Sequence, residues 1–405
     1  MPAASCARPA FELGLDLCVF LYLPVLALTP LAVTPLAVLA GLCAFGLAAP
    51  DGVAAWRPLR GTALLFAALV AWGLISALWA VDPPRSLLMA ARLAGLFAVG
   101  LSLMAAAPAL AAPERLLAWA ASGLVLALVL AGVQYATSGV LTRSFLQHAF
   151  NAPRLNQVQN AFALLVLPLA ATLALRRERT AAALIAALTV AAIFLLVGDA
   201  ERLGFVAGLG AAALAYLSRR WLTRLAAAAA AIVILTAPLT FPALIHIGPM
   251  QNWARAQKQS VEHRLEIWQF AGAHIADRPL GGWGLDSSRA IPGGTAPTST
   301  GVPVLPLHPH NVTLQIWLEL GLPGAALFAL FVVRLWLALG AAPWPRLYAA
   351  AAAGSLAAAF TASLGSYGLW QEWWIGSEFL TLFLILAMAR LAAQPIPETA
   401  RGSIS

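Results

Sequence analysis

The sequence predicts an all-α polytopic membrane protein with about twelve transmembrane helices. Three observations predict the membrane class. Of 405 residues, 61% are hydrophobic and only 10% are charged, and apolar runs of span length recur along most of the chain. A soluble globular domain carries about 25% charged residues, whereas a bilayer-crossing helix needs about 20 mainly apolar ones. The formal net charge of +8 rests on arginine, with a single lysine, Lys258. Because these arginines punctuate apolar runs, most read as loop anchors of a membrane protein and no nucleic-acid partner is expected.

Taken in order, the first run lies at about 11–29, after Arg8. It is longer than the apolar core of a cleaved signal peptide and has no clear small-residue cleavage site, so it reads as an uncleaved span. Thr29-Pro30 separates it from the second run, 31–49. Cys6, Cys18 and Cys43 show neither metal-ligand spacing nor a disulfide framework. Further spans are expected at about 61–80, 86–107, 114–137, 157–175, 180–198, 202–218 and 222–241. The alanine-rich run "RLAAAAAAIVIL" reads as a thin span that packs closely. After the polar segment 242–311 come 312–339, 346–366 and 373–393. The first of these is too long for one straight span, and "LGLPG" (Leu320 to Gly324) should break it. The expected organisation is nine spans in 1–241, an outer loop over 242–311, three spans in 312–393, and a cytoplasmic tail, 394–405.

The positive-inside rule sets the orientation. With the N-terminus inside, cytosolic ends carry Arg57, Arg60, Arg115, Arg176, Arg177, Arg179, Arg219, Arg220, Arg224, Arg334, Arg346, Arg390 and Arg401. The short outer loops carry only Arg85, Arg143, Arg154 and Arg202, with Arg92 slightly inside a span. All six histidines (His148, His246, His263, His274, His308 and His310) then fall outside, as do Asp82, Asp199, Glu201, Glu262, Glu266 and Asp286.

The segment 242–311 is too long to be a mere connector. From Gln251 to Ala276, apolar residues recur at helical spacing: Trp253, Val261, Leu265, Trp268, Ala271 and Ile275. Lys258 and Glu262 form an i,i+4 pair on the wet side, while Arg264 sits beside the apolar stripe. The bland reading of Arg264 is an arginine snorkelling from a surface-lying helix. Arg278-Pro279 should end that helix, and Gly281, Gly282 and Gly284 permit a sharp turn. Residues 291–306, rich in Pro, Gly and Thr, read as a flap. "HPHN" follows, with Asn311 as N-cap of a helix beginning at Val312. That places His310 at a helix entrance on the water–membrane border.

Three outer sites hold ionisable residues: Asp199, Glu201 and Arg202 in "VGDAERLGF"; Arg264; and His308 with His310. Histidine titrates near neutral pH and can take a proton from a hydroxyl. Arginine grips phosphate bidentately and can stabilise a pyrophosphate leaving group as charge builds on it. Together they suit transfer from a phosphate-activated lipid donor to a hydroxyl; otherwise the histidines are polar residues of the interface without chemistry. There is no Asp-x-Asp and no phosphate-binding Gly-x-x-x-x-Gly-Lys-Ser/Thr, so metal-assisted glycosyl transfer and ATP coupling are disfavoured, and no metal or other cofactor is expected.

The string "HRLEIWQFAGAHIADRPLGGWG", a loop, then "HPHNVTLQIWLELGLPG" resembles the O-antigen ligase family (the WaaL / Wzy C-terminal family). The matching positions are Arg264 and Trp268; Pro279, Gly281 or Gly282, and Gly284; then His310, Asn311, Leu314, Glu319, Gly321 and Gly324. "DAERLGF" resembles a Ser-Arg-Gly segment of the family, with Glu201 and Leu203 in place of Ser and Gly. "RLNQVQNAFALL" is similar to an Asn-x-x-Ala segment at Asn160. These motifs cover about 155–335; the earlier part matches only as a set of spans.

The resemblance implies a GT-C-type, metal-independent and inverting glycosyltransferase of the Gram-negative inner membrane, with cytoplasmic termini and a periplasmic site. Its ligase branch moves O-antigen from undecaprenyl pyrophosphate to lipid A-core. It further implies His310 as the base, with Arg202 and Arg264 holding pyrophosphate and Arg154, Arg143 and Arg289 as further donor-binding residues. His308, Asn311 and Trp268 join them as substrate-side residues. A polysaccharide polymerase, a protein O-oligosaccharyltransferase and, as a non-enzyme, a lipid-linked glycan transporter are the alternatives. Transport predicts ionisable residues deep in several spans and two related halves, and neither is evident.

Overall fold

Residues 3–145, 149–249, 259–298 and 301–395 are described by the computed structural model. Regular structure among them is helical: α1 (Ala3–Leu28), α2 (Val33–Ala48), α3 (Arg60–Ser76), α4 (Pro83–Ala106), α5 (Pro113–Ala136), α6 (Asn156–Leu175), α7 (Arg179–Leu195), α8 (Asp199–Ala243), α9 (Gln259–Asp277), α10 (Val312–Ala341), α11 (Arg346–Ser363) and α12 (Glu372–Ala393), with shorter helical pieces such as Val53–Trp56 and Val140–Phe145 in the connections and the long segment 278–311 between α9 and α10. An isolated bridge between Pro297 and Pro303 is the one strand-like pairing among the described residues. Nine helical segments among these residues are long and apolar enough to cross a membrane, the all-α polytopic class that composition predicts.

Three places separate the twelve expected runs from those nine segments. α7 is apolar but has only 17 residues. α11, 18 residues rich in alanine, is not among the nine. α8 joins two runs in one helix of 45 residues, about 68 Å at 1.5 Å per residue, roughly twice the hydrocarbon thickness. Its backbone departs from helical geometry at Ser218 (φ −149°, ψ 87°), where the sequence puts "SRR" between its two runs.

Buried charge is answered locally. Glu12 and Asp16 of α1 are buried. Arg115, at the start of α5, reaches Asp16 at 2.5 Å and Glu12 at 3.2 Å, and the Ala111 N–H donates to Glu12 at 2.9 Å. Left unpaired, carboxylates so placed would shift toward neutrality or destabilise the helix.

The break in α10 organises the end of the bundle that carries the candidate site. At Gly321 the backbone is left-handed (φ 62°, ψ −160°), and Pro323 has no N–H to give Glu319, four residues back. The carbonyls released from the helix are taken by the glycine-rich turn after α9. Trp283 N–H donates to the Leu318 carbonyl and Gly284 N–H to that of Glu319, both at 2.9 Å, while Leu322 N–H goes to the Pro279 carbonyl at 2.9 Å. The Trp72 indole N–H takes the Leu320 carbonyl at 2.8 Å, and Trp79 donates to Gly281 at 3.1 Å. The left-handed positions in the turn are Gly282 and Gly284. A Cβ on Gly282 would sit 2.4 Å from the Glu319 carbonyl, so backbone contact decides which of the paired glycines is indispensable there.

Candidate functional site

Asn311 caps α10 as its position predicts. Its side-chain oxygen accepts the N–H groups of Thr313 at 3.0 Å and Leu314 at 3.1 Å, and the Thr313 hydroxyl at 2.6 Å. The cap is fully buried, which fixes the backbone just before it. His310 occupies the left-handed region (φ 53°), a conformation that costs a non-glycine residue on the order of 1–3 kcal/mol. Its N–H reaches His308 Nδ1 at 3.2 Å, and its own Nδ1 lies 2.7 Å from the Ser366 carbonyl.

These two contacts assign the histidines different tautomers. A carbonyl oxygen only accepts, so His310 Nδ1 carries the proton and its neutral ring keeps a lone pair on Nε2. His308 Nδ1 accepts from a backbone N–H, so its proton sits on Nε2. The rings lie 4.3 Å apart. Burial, followed by His310 and Arg289, lowers the His308 pKa to about 3. Burial also lowers that of His310; the Ser366 contact opposes this, and Arg264 and His263 reinforce it. Both imidazoles are therefore held neutral at physiological pH, and His310 is the one built to accept a proton through Nε2.

Helix α9 supplies the neighbouring cation. Leu265, Ala271 and Ile275 of the expected stripe are buried, as is Ile267. Trp268 packs edge-on against Phe241 of α8 at 5.2 Å, and its indole N–H donates to the Pro309 carbonyl at 3.0 Å, tying α9 to the histidine turn. Arg264, one turn earlier, is largely withdrawn from solvent. Its pKa is lowered by burial and partly restored by Glu201 and Asp199. Trp253 and Lys258, the start of the expected helix, lie outside the described residues.

The remaining arginines divide. Arg202 donates to Asp199 at 2.9 Å and to the Phe194 carbonyl at 3.0 Å, and also to the Leu196 carbonyl, so its guanidinium closes the C-terminal end of α7. Arg289 is exposed on the short turn Ser288–Ala290, close enough to act electrostatically on His308. Arg154 is exposed at the end of the turn Ala152–Leu155. Arg143 folds back on its own segment, donating to the carbonyls of Ser138 and Thr137. The geometry thus gathers Arg264, Trp268, His308, His310 and Asn311, with Arg202 and Arg289 at the edges. No contact among the described residues brings Arg143 or Arg154 to the histidines. His148 lies outside the described residues.

Several members of this site escape sequence reasoning. One is the connection between α11 and α12, residues 364–371, whose first residues fall inside the apolar run 346–366 although the helix ends at Ser363. The available signal is its own "GSYG", Gly365 to Gly368, a turn-forming string. This connection supplies the Ser366 carbonyl to His310, and the Tyr367 hydroxyl, which donates to Glu201 at 2.8 Å. Leu369 N–H donates to Gln315 at 2.7 Å, and the Trp370 indole donates to Glu319. Glu319, fully buried, also accepts the Asp286 N–H, the Ser288 hydroxyl and Gln315 Nε2. The carboxylate of this Glu-x-Gly-x-x-Gly string is therefore a hub joining both loops to α10.

Beside the hub lies an apolar cavity of about 510 Å³ between α3, α4, α6, α10, α11 and α12. Val312, the residue after the Asn311 cap, lines it together with Leu369 and Trp370 near the histidines. Phe66, Phe331 and Arg334 also line it. One carboxylate, Glu378, borders it and accepts from Trp374 at 2.8 Å and from Asn160 at 3.3 Å.

Comparison with known proteins follows the same region. Residues 164–329 match the family model described as O-Antigen ligase, a span that includes Arg202, Arg264, His310 and Glu319 and stops before the α11–α12 connection. A protein of Rickettsia conorii, provisionally named a polysaccharide ligase, is 27% identical over 365 residues, covering 83% of this chain and 81% of the relative. One from Rickettsia felis with the same provisional name is 28% identical over 338 residues, 81% of this chain and 80% of its own. A third, from Rickettsia prowazekii, is 33% identical over 171 residues, 40% of this chain and 41% of its own.

Proposed function

From an O-antigen ligase domain over residues 164–329, we propose that this membrane protein is a glycosyltransferase that moves O-antigen polysaccharide from undecaprenyl pyrophosphate to a sugar hydroxyl of lipid A-core. The reaction takes place at the periplasmic face of the inner membrane. The observation that carries the reading is the His310 ring, half-buried, with its charged form disfavoured, and bonded through Nδ1 to the Ser366 carbonyl at 2.7 Å. Such a ring offers Nε2 as general base.

In the proposed step, His310 Nε2 takes the proton of the acceptor hydroxyl as its oxygen attacks the anomeric carbon. The bond from that carbon to the pyrophosphate oxygen breaks, and its electron pair leaves with undecaprenyl pyrophosphate. Attack opposite the leaving group inverts the centre. Arg264 stabilises the growing negative charge; Arg202 and Arg289 stand at the edges of the same anion path. The Glu201 carboxylate near Arg264 keeps that guanidinium from being an uncompensated buried charge before the donor arrives. The apolar cavity that begins at Val312 suits the isoprenoid part of the donor.

Deleting the gene in its host and resolving the lipopolysaccharide on a gel tests the substrate assignment. Bare core with accumulated lipid-linked polymer is expected. Core bearing a single repeat would instead identify a polymerase, and unchanged lipopolysaccharide with an under-glycosylated protein would identify a protein oligosaccharyltransferase.

A further inference from the structure

We propose that the connection between α11 and α12, residues 364–371, is the positioning element of the transfer site, holding His310 in the base-competent tautomer through the Ser366 carbonyl. The inference rests on the reading of His310 as the base. It concerns a segment outside the region that matches the ligase family, residues 164–329.

An imidazole beside no fixed acceptor can carry its proton on either nitrogen, and only one tautomer presents Nε2 as a base. The Ser366 carbonyl settles that choice only if it stays where it is, within 2.7 Å of Nδ1. The segment that carries it is irregular, so its place depends on side-chain and backbone partners outside itself. On the α11 side, the Ser366 hydroxyl returns to the Ala362 carbonyl at 2.6 Å and Gly365 N–H bonds the same carbonyl at 3.1 Å.

On the α12 side, three donors lead to three buried acceptors on other helices. The Tyr367 hydroxyl goes to Glu201 of α8, Leu369 N–H to Gln315 of α10, and Trp370 Nε1–H to Glu319 of α10. Gly368 lies flat against His308; a Cβ there would meet the imidazole at 2.7 Å. One element thus touches both histidines and is fixed by groups on two helices of the site. Tyr367 and Trp370 act through the carbonyl and the ring, not on the reacting atoms, and are positioning residues. Second-sphere partners of this kind fix tautomer and ring orientation in imidazole ligands, where their loss is felt as function.

The test uses full-length protein in lipid vesicles, with an undecaprenyl-pyrophosphate-linked glycan as donor and lipid A-core as acceptor. Trp370→Phe keeps an aromatic ring but deletes the indole N–H together with part of its volume; Tyr367→Phe deletes only the hydroxyl. Each should lower kcat by about tenfold, the order of one lost hydrogen bond; Tyr367→Phe, whose hydroxyl faces Glu201 and not the cavity, should also leave the donor KM within about twofold. The spectroscopic readout is ¹⁵N-histidine NMR, with His310 assigned by subtracting the spectrum of His310→Gln. The parent should show the Nδ1–H tautomer alone, and both variants a mixture.

Trp370→Phe with parental kcat and an unmixed tautomer overturns the proposal. If that variant loses its fold, Tyr367→Phe carries the same two measurements, and an unmixed tautomer there overturns it equally. Undiminished transfer by His310→Gln sinks the base assignment instead. The tautomer measurement needs no activity and still decides whether the connection holds the ring.

Discussion

His310 combines two costs, a left-handed backbone and partial burial, with a ring bonded to a carbonyl that fixes its tautomer. Removing the ring should abolish chemistry but leave the backbone strain in place, because alanine keeps a Cβ at the same positive φ. His310→Ala is expected to lower kcat at least about 100-fold, the usual worth of a general base, with a thermal midpoint in detergent at or below the parent's, because the Ser366 carbonyl loses its partner. Retained transfer would remove His310 from the reaction. The pH dependence has a definite sign. The base works only when neutral, and its pKa lies below the ordinary 6.5 because burial, Arg264 of α9 and His263 of α9 oppose the charged form. The acid limb of the rate profile should therefore have its midpoint below 6.5. An acid limb at or above 6.5 in the rate profile contradicts this. At the same scale, Arg264→Lys should lower kcat/KM by about 10- to 100-fold, because the ammonium cannot reproduce a bidentate fork; an unchanged value would leave Arg264 a snorkelling surface residue. The motif around His310 and Arg264 was legible in the sequence as side, residue type and helix entrance. The tautomer was not, since its determinant, Ser366, lies 56 residues away. Nor was the fate of Arg202, whose fork reaches Asp199 and the end of α7.

At the scale of elements, the break in α10 and the turn after α9 are one construction. Gly321 and Pro323 release carbonyls, and the amides of the glycine-rich turn consume them. Gly321→Ala would place a Cβ 2.4 Å from the Leu280 carbonyl, at a positive φ. It should cost on the order of 1–3 kcal/mol, seen as a lower thermal midpoint, and reduce transfer because Glu319 two residues earlier would lose register. Gly281→Ala, where φ is not positive and the nearest atom is the Trp79 indole nitrogen at 3.1 Å, should be clearly milder; equal damage at both positions would refute this account. "LGLPG" announced the break through local chemistry alone. It could not announce the partner, because hydrogen bonds from 279–284 to 318–322 are a tertiary fact. The overshoot of the run 346–366 has the same origin. Alanine and phenylalanine continue the apolar pattern up to the helix end, and only the contacts of residues 364–371 with α8 and α10 make them a connection instead of a last turn.

At the scale of the molecule, the helices separate rather than close around the cavity of about 510 Å³. Composition predicted the spans but not this opening, because apolar residues facing a cavity, a neighbouring helix or lipid look alike in sequence. The cavity starts at Val312, next to the cap that fixes His310, and its near wall includes Leu369 and Trp370 of the positioning connection. A donor whose isoprenoid lies there would have its pyrophosphate at the histidine end. Ala359 of α11 lines the cavity and is half-buried, so Ala359→Phe should narrow it without rebuilding the helix. Excluding roughly two methylenes of chain, at about 0.8 kcal/mol each, raises the donor KM about tenfold. The kcat should stay near the parent's, since the lost contacts are the same in the ground and transition states. A donor with a short isoprenoid that does not reach Ala359 should show a smaller ratio between variant and parent. Equal KM values for the long donor in both proteins would place the lipid elsewhere and leave the cavity to the bilayer.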